Sequence, residues 1–169
     1  MRNAVHLTVA PLLVAGLLIP TVAAVAPAAQ KASHKEWPKI DGKLIINRND
    51  QETPLRGLTN KHNELLGGHG DDTITAGDVG DVMWGDYKPS GQPTTQKDVI
   101  DGGPGKDHIY ASHGTNTITS GGGADQIHAH FGRGTITCAN RKPLIFLSHR
   151  SHKKYKLHGC TRITFRSSL

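Results

Sequence analysis

The sequence predicts an all-β solenoid, in which short strands joined by glycine turns stack so that each turn buries the single apolar residue of its neighbour. Three observations predict it. An apolar residue recurs every nine positions, a glycine cluster recurs in register ahead of it, and an aspartate recurs two residues before it. Composition excludes a conventional core. The chain has 169 residues, of which 36% are apolar, and about a third of those lie in the first 28 positions. With three Phe and two Trp in all, the remainder is too poor for an ordinary globular interior. A thin repeat, a disulfide scaffold or a ligand-stiffened body is left. After residue 30 nothing approaches the apolar length that spans a bilayer.

The repeat justifies each strand in turn. Residues 67–75 read GGHGDDTIT, 102–110 read GGPGKDHIY and 120–128 read SGGGADQIH. All three fit G-G-x-G-x-D-x-U-x, with U a large apolar residue and Ser120 replacing one glycine. Weaker copies stand between them, AGDVGDVMW at 76–84, ASHGTNTIT at 111–119 and AHFGRGTIT at 129–137. Ile100, Ile109, Ile118, Ile127, Ile136 and Ile145 fall nine apart without a slip. Ile74 and Met83 extend the ladder once an eight-residue insertion within 85–101 is removed, and Ile163 lies two periods beyond Ile145. Each x-U-x segment is a short strand with one side chain pointing inward, so the Ile column is the core. Turns this tight require the conformational freedom of glycine. Composition alone would equally suit a disordered Gly/Asp-rich linker, but that alternative does not account for the ladder.

The repeat resembles the nonapeptide of the RTX, or haemolysin-type, calcium-binding family over roughly residues 57 to 146. The resemblance implies a right-handed parallel β-roll with two nonapeptides per turn and calcium between stacked turns. Residues 18 apart then share an edge. One edge carries Asp81, Asp107 and Asp125 with the turns Gly102, Gly103, Gly105 and Gly121, Gly122, Gly123, which implies calcium between Asp81 and Asp107 and between Asp107 and Asp125. The other begins with Gly67, Gly68, Gly70, Asp72 and Asp98, leaving room for a distorted third site, and then decays to Asn116 and Gly134, where no carboxylate remains. Aspartates stacked about 4.8 Å apart repel one another, and a hard divalent cation relieves the repulsion. Calcium accepts six to eight oxygens in irregular geometry and suits such a site. Without calcium the chain is expected to be disordered.

The flanks complete the expected organisation. Residues 1–28 have Arg2, an apolar stretch and A-x-A patterns, the layout of a secretory signal peptide cut after Ala24, Ala26 or Ala28. Residues 29–56 form a polar segment with one cap strand, 57–137 the calcium-binding roll with its insertion at 88–97, and 138–169 a basic C-terminal cap. The chain resembles small exported nonapeptide-repeat proteins of bacteria, and in an exported chain the two cysteines, Cys138 and Cys160, are expected to bond and staple that cap. The +6 net charge conceals an asymmetry, since 62–128 is acidic and 129–169 has basic residues and no acidic one.

Function follows as an expectation. The chain is read as a secreted, extracellular calcium-binding protein that folds on calcium outside the cell, and not as an enzyme, since no catalytic constellation stands out. The alternative is an adhesion or acidic-polysaccharide module. It would use Lys153, Lys154 and Lys156 of the basic cap and an edge on which His113, Phe131 and His149, and likewise Ser112, His130 and Ser148, recur 18 apart. The histidines have an equally ordinary reading as polar turn residues. Scarce stacking aromatics in the basic end and export argue against a specific nucleic-acid partner.

Overall fold

The computed structural model describes residues 36–48, 50–88 and 91–167. The leader expected over 1–28 lies outside the described residues. In chain order the elements are β1 (Leu44–Ile46), β2 (Thr53–Arg56), β3 (Glu64–Leu66), β4 (Asp72–Thr75), β5 (Val82–Trp84), β6 (Lys97–Asp101) and β7 (His108–Tyr110). There follow β8 (Thr115–Thr119), β9 (Gln126–Ala129), β10 (Arg133–Thr137), β11 (Leu144–Leu147), the short helix α1 (His149–His152), β12 (Tyr155–His158) and β13 (Arg162–Thr164).

Odd strands form one sheet, in the order β1-β3-β5-β7-β9-β11-β13, and even strands the other, in the order β12-β10-β8-β6-β4-β2. Every pairing is parallel. The chain therefore alternates between sheets and completes a parallel β-solenoid of about six turns. Ile109, Ile127 and Ile145 stand opposite one another in one sheet, and Ile100, Ile118 and Ile136 in the other. Ile74 faces Ile100 and Met83 faces Ile109. The ladder therefore continues in register on both sides of the insertion.

The core is this double column. Leu55, Leu65, Ile74, Met83, Ile109, Ile127, Ile136 and Ile145 are fully buried. The pattern within β6 alternates exposed and buried residues, as one inward face requires. The ladder extends past the nonapeptides. Leu55 pairs with Ile74, Ile45 with Leu65, and Leu157 with Ile136. These turns hold a few extra residues, so a strict nine-residue count does not reach Ile45, Leu55 or Leu157. Pro54 is accommodated because β2 is an edge strand.

A second stripe lies on the outer face of the odd-strand sheet. Trp84, Tyr110, His128 and Phe146 each follow a core residue. Successive rings stack at centroid distances of 4.1, 4.6 and 4.3 Å. Trp37 covers one end, donating its indole N–H to the Tyr110 hydroxyl at 2.9 Å and packing with Ile40 and Val82. The parallel register that aligns the isoleucines aligns the next residue as well.

Cys138 and Cys160 are disulfide-bonded, with Cα atoms 5.0 Å apart across 22 residues. They follow the neighbouring strands β10 and β12, so the bond ties two successive turns. Between these strands α1 absorbs extra residues. Ser148 caps it, its Oγ accepting the Ser151 N–H at 3.0 Å.

Replacing Cys138 and Cys160 together by Ser is expected to lower stability in calcium by roughly 3 kcal/mol in denaturant unfolding. The substitution Ile118→Ala removes a residue 1% exposed and should cost about 2–5 kcal/mol in the same assay. Val99→Ala, at a position 47% exposed, should change stability by less than about 0.5 kcal/mol.

Candidate metal centre

Stacking the nonapeptides brings their turns together along two edges, and one hydrogen-bond pattern recurs on both. The Asp81 N–H donates to Asp107 Oδ1 at 2.7 Å, and the Asp107 N–H donates to Asp125 Oδ1 at 3.0 Å. On the opposite edge the Asp72 N–H donates to Asp98 Oδ1 at 3.1 Å. Each carboxylate thus reaches back to the turn before its own, with its Oδ1 committed to the backbone.

The second oxygen separates the aspartates into two groups. Asp98 Oδ2, Asp107 Oδ2 and Asp125 Oδ2 are buried without a hydrogen-bond partner. Asp72 and Asp81 are satisfied. Asp72 Oδ2 accepts the Gly68 N–H at 2.8 Å, and its Oδ1 accepts the Asn47 side-chain amide at 2.8 Å. Asp81 Oδ2 accepts the Gly77 N–H at 2.6 Å, while its Oδ1 accepts the Asn63 N–H at 2.5 Å and the Asn63 Nδ2 at 2.9 Å.

Backbone carbonyls crowd the same turns. Gly121, at φ +76°, could not carry a side chain, because a Cβ there would sit 1.6 Å from Gly103 O. A Cβ on Gly123 would meet Gly105 O at 1.6 Å and Asp125 Oδ1 at 2.6 Å, and one on Gly102 would meet Ser120 O at 2.4 Å and Asp107 Oδ2 at 3.2 Å. Glycine is required here by the neighbouring turn. Its absent side chain lets carbonyl and carboxylate oxygens converge.

Burial disfavours the charged form of these acids. It pushes Asp107 up to about 8, with Asp125 and Asp81 adding repulsion. It pushes Asp98 up to about 7, with Asp72 and Asp86 nearby, and Asp125 up to about 6. Asp81 is also raised by burial, although the bonds from Asn63 and Gly77 oppose the shift. A buried carboxylate oxygen with no donor is costly. The donor set is made of hard oxygens only, which fits calcium. Among the described residues no three His, Cys, Asp or Glu side chains gather into a metal site, so such a shell would draw on backbone carbonyls.

Where the aspartate position holds asparagine, an amide supplies the donors instead. Asn63 Nδ2 donates to Leu58 O at 3.0 Å, Lys61 O at 2.7 Å and Asp81 Oδ1 at 2.9 Å. Asn116 Nδ2 donates to Ser112 O at 3.1 Å and to the Tyr155 hydroxyl at 3.0 Å. Beyond the last aspartate, Asn140 Nδ2 donates to Gly122 O at 2.8 Å. These neutral groups close the columns on either side of the orphaned carboxylates.

The family comparison bears on these same turns. The family model of the RTX calcium-binding nonapeptide repeat matches four copies, over residues 59–86 and 94–136. These two stretches of the roll are RTX calcium-binding repeats. The two matched stretches of the RTX roll flank the insertion, and they include all five of Asp72, Asp81, Asp98, Asp107 and Asp125. Comparison with curated proteins and with solved structures found no match.

The candidate residues of the sequence reading sort as follows. Asp81, Asp107 and Asp125 share one edge of the RTX roll with Gly102, Gly103, Gly105, Gly121, Gly122 and Gly123. Asp72 and Asp98 share the other. Gly68 and Gly70 face the preceding turn, around Asn47, Asp50 and Gln51. Of the 18-spaced side chains, His113 stacks on Phe131 at 4.3 Å, but His149 stacks on Phe165 instead. Ser112 donates inward to Asn116 Oδ1 at 3.1 Å. The aromatic stripe and the donor role of Asn47 and Asn140 were not read from the sequence. The stripe had a signal, because its members share the register of the ladder one residue on.

The raised acids give the metal-free roll a definite pH dependence. In the folded chain they bind protons up to about pH 6 to 8, whereas the unfolded chain releases them near the ordinary aspartate value of about 3.9. Stability in chelator should therefore be greatest in acid and fall as pH rises from about 4 to about 8. Circular dichroism across that range checks this. A chelated roll that gains β signal with rising pH would contradict it.

Proposed function

We propose that this is a secreted, extracellular calcium-binding β-roll protein that folds when calcium fills the gaps between its turns. The observation that carries the reading is the trio of buried, partnerless oxygens on Asp98, Asp107 and Asp125. Asp81, Asp107 and Asp125, with the carbonyls of turns 102–105 and 120–123, would hold cations on one edge. Asp72 and Asp98, with the turn at Gly67, Gly68 and Gly70, would hold one on the other. A bound calcium supplies the positive charge that lets these acids ionise together. The chain's residues align the turns, exclude water and present the oxygens. We assign it a structural, cation-binding role rather than a catalytic one.

Export is supported by the leader-like residues 1–28 and by the disulfide, since such bonds persist in oxidising compartments. The proposed organisation is a leader at 1–28, a cap segment at 29–56, the calcium-binding roll at 57–137 with its insertion at 88–97, and a stapled basic cap at 138–169. Affinities of extracellular calcium modules are about 10⁻⁴ to 10⁻³ M. In a low-calcium cytoplasm the chain would remain loose and exportable, and it would fold outside.

Calcium titration followed by circular dichroism tests the proposal, and a β spectrum indifferent to EGTA at neutral pH would sink it. Asp107→Asn, which alters a residue placed in both sites of one edge, should raise the calcium midpoint more than Asp72→Asn. Equal shifts would refute the assignment of unequal edges.

A further inference from the structure

We propose that the edge opposite the Asp81–Asp107–Asp125 column carries a binding groove for a carboxylated polysaccharide. This goes beyond calcium binding, and it depends on that proposal only in needing a folded roll. Three hollows of about 190, 400 and 570 Å³ adjoin on this edge, and all three are lined by His130 and Phe131. Together they form a track suited to an extended chain rather than to one small anion. The lining comes from successive turns of the roll. His113 precedes β8, His130 and Phe131 precede β10, and Arg150 and Lys154 precede β12.

The chemistry of the track is predominantly positive. The smallest hollow is lined by Arg133, Arg150 and Lys154 as well as by His113 and His130, with no carboxylate among its lining residues. Asp86 borders the adjoining hollow, but its side chain is fully buried and paired with His69 at 2.8 Å. It offsets little of the positive charge. Two guanidiniums match the planar, two-oxygen geometry of carboxylates. Phe131 is 59% exposed and lies flat on His113, its ring centroid 4.3 Å away at 18°. This leaves a supported aromatic face beside the cations, a surface against which the C–H face of a sugar ring can stack. Arg133 also donates to Thr94 O at 3.2 Å, which sets Thr94 at the rim of the smallest hollow. A polymer bearing a carboxylate on each sugar meets both demands at once, an apolar ring face and a charge repeated along the chain.

The test is calorimetric titration of a galacturonate tetramer into the calcium-loaded protein, with maltotetraose as the neutral control. Circular dichroism on the same samples reports whether the roll is folded, which separates failure of calcium-dependent folding from failure of the groove. The acidic tetramer is expected to bind and the neutral one not to. Arg150→Ala/Lys154→Ala and, separately, Phe131→Ala should each weaken binding about tenfold or more with an unchanged spectrum. Arg141→Ala/Lys142→Ala removes the same charge from an exposed site outside the hollows and should leave affinity within about twofold. No binding by the folded protein would overturn the proposal. So would equal losses in the two double variants, which would mean diffuse attraction. Binding of DNA or anionic vesicles but not of the tetramer would also overturn it, and would assign the groove to another class of partner.

Discussion

The fold depends on how a stack of aspartates is kept in the interior of a narrow roll. Each side chain gives one oxygen to the backbone N–H of the turn before it, as Asp107 does to Asp81 and Asp125 to Asp107. That bond sets the spacing of the turns and leaves the other oxygen of Asp98, Asp107 and Asp125 buried and unmatched. A stack held only by such contacts would carry like charges in a poorly solvated place. Protonation or a cation is required to neutralise it. The Ile ladder adds little redundancy, since most strands contribute a single core side chain, β9 and β11 being exceptions with Ala129 and Leu147.

Asparagine marks where this dependence stops. Asn63 and Asn116 occupy the aspartate column, and each brings two amide hydrogens to oxygens that are otherwise short of donors. Asn47 and Asn140 do the same from other turn positions. The turns therefore differ in kind, those with Asp98, Asp107 and Asp125 leaving an oxygen unmatched and those with asparagine satisfying themselves. The disulfide takes over near the C-terminal end, joining the turns after β10 and β12. A covalent bond there replaces the turn-to-turn contact that glycine and aspartate supply elsewhere.

The loss of aspartates on one edge has a second consequence. Once Asn116 and Gly134 replace carboxylates, the turns before β8, β10 and β12 are free to carry His113, His130, Phe131, Arg150 and Lys154. Stacking of the turns brings them to one edge, Arg150 from within α1 and Lys154 from just after it. The same repeat builds the Trp84–Tyr110–His128–Phe146 stack on an outer sheet face. A solenoid presents any residue repeated in register as a continuous surface.

The sequence by itself determined the period, the inward column from Ile74 to Ile145, the two aspartate columns and the two cysteines available to bond. All are periodic or pairwise features, and a parallel stack in register translates periodicity directly into contact. Tertiary structure decided what the period cannot count. Leu55 and Leu157 join the core across turns of irregular length. Whether a given aspartate oxygen is satisfied depends on which amide lies in the adjacent turn, as Asn63 does for Asp81. The same holds for the groove, where His113 meets Phe131 but His149 turns to Phe165, because α1 displaces the last turn from the register that spacing alone would assign it.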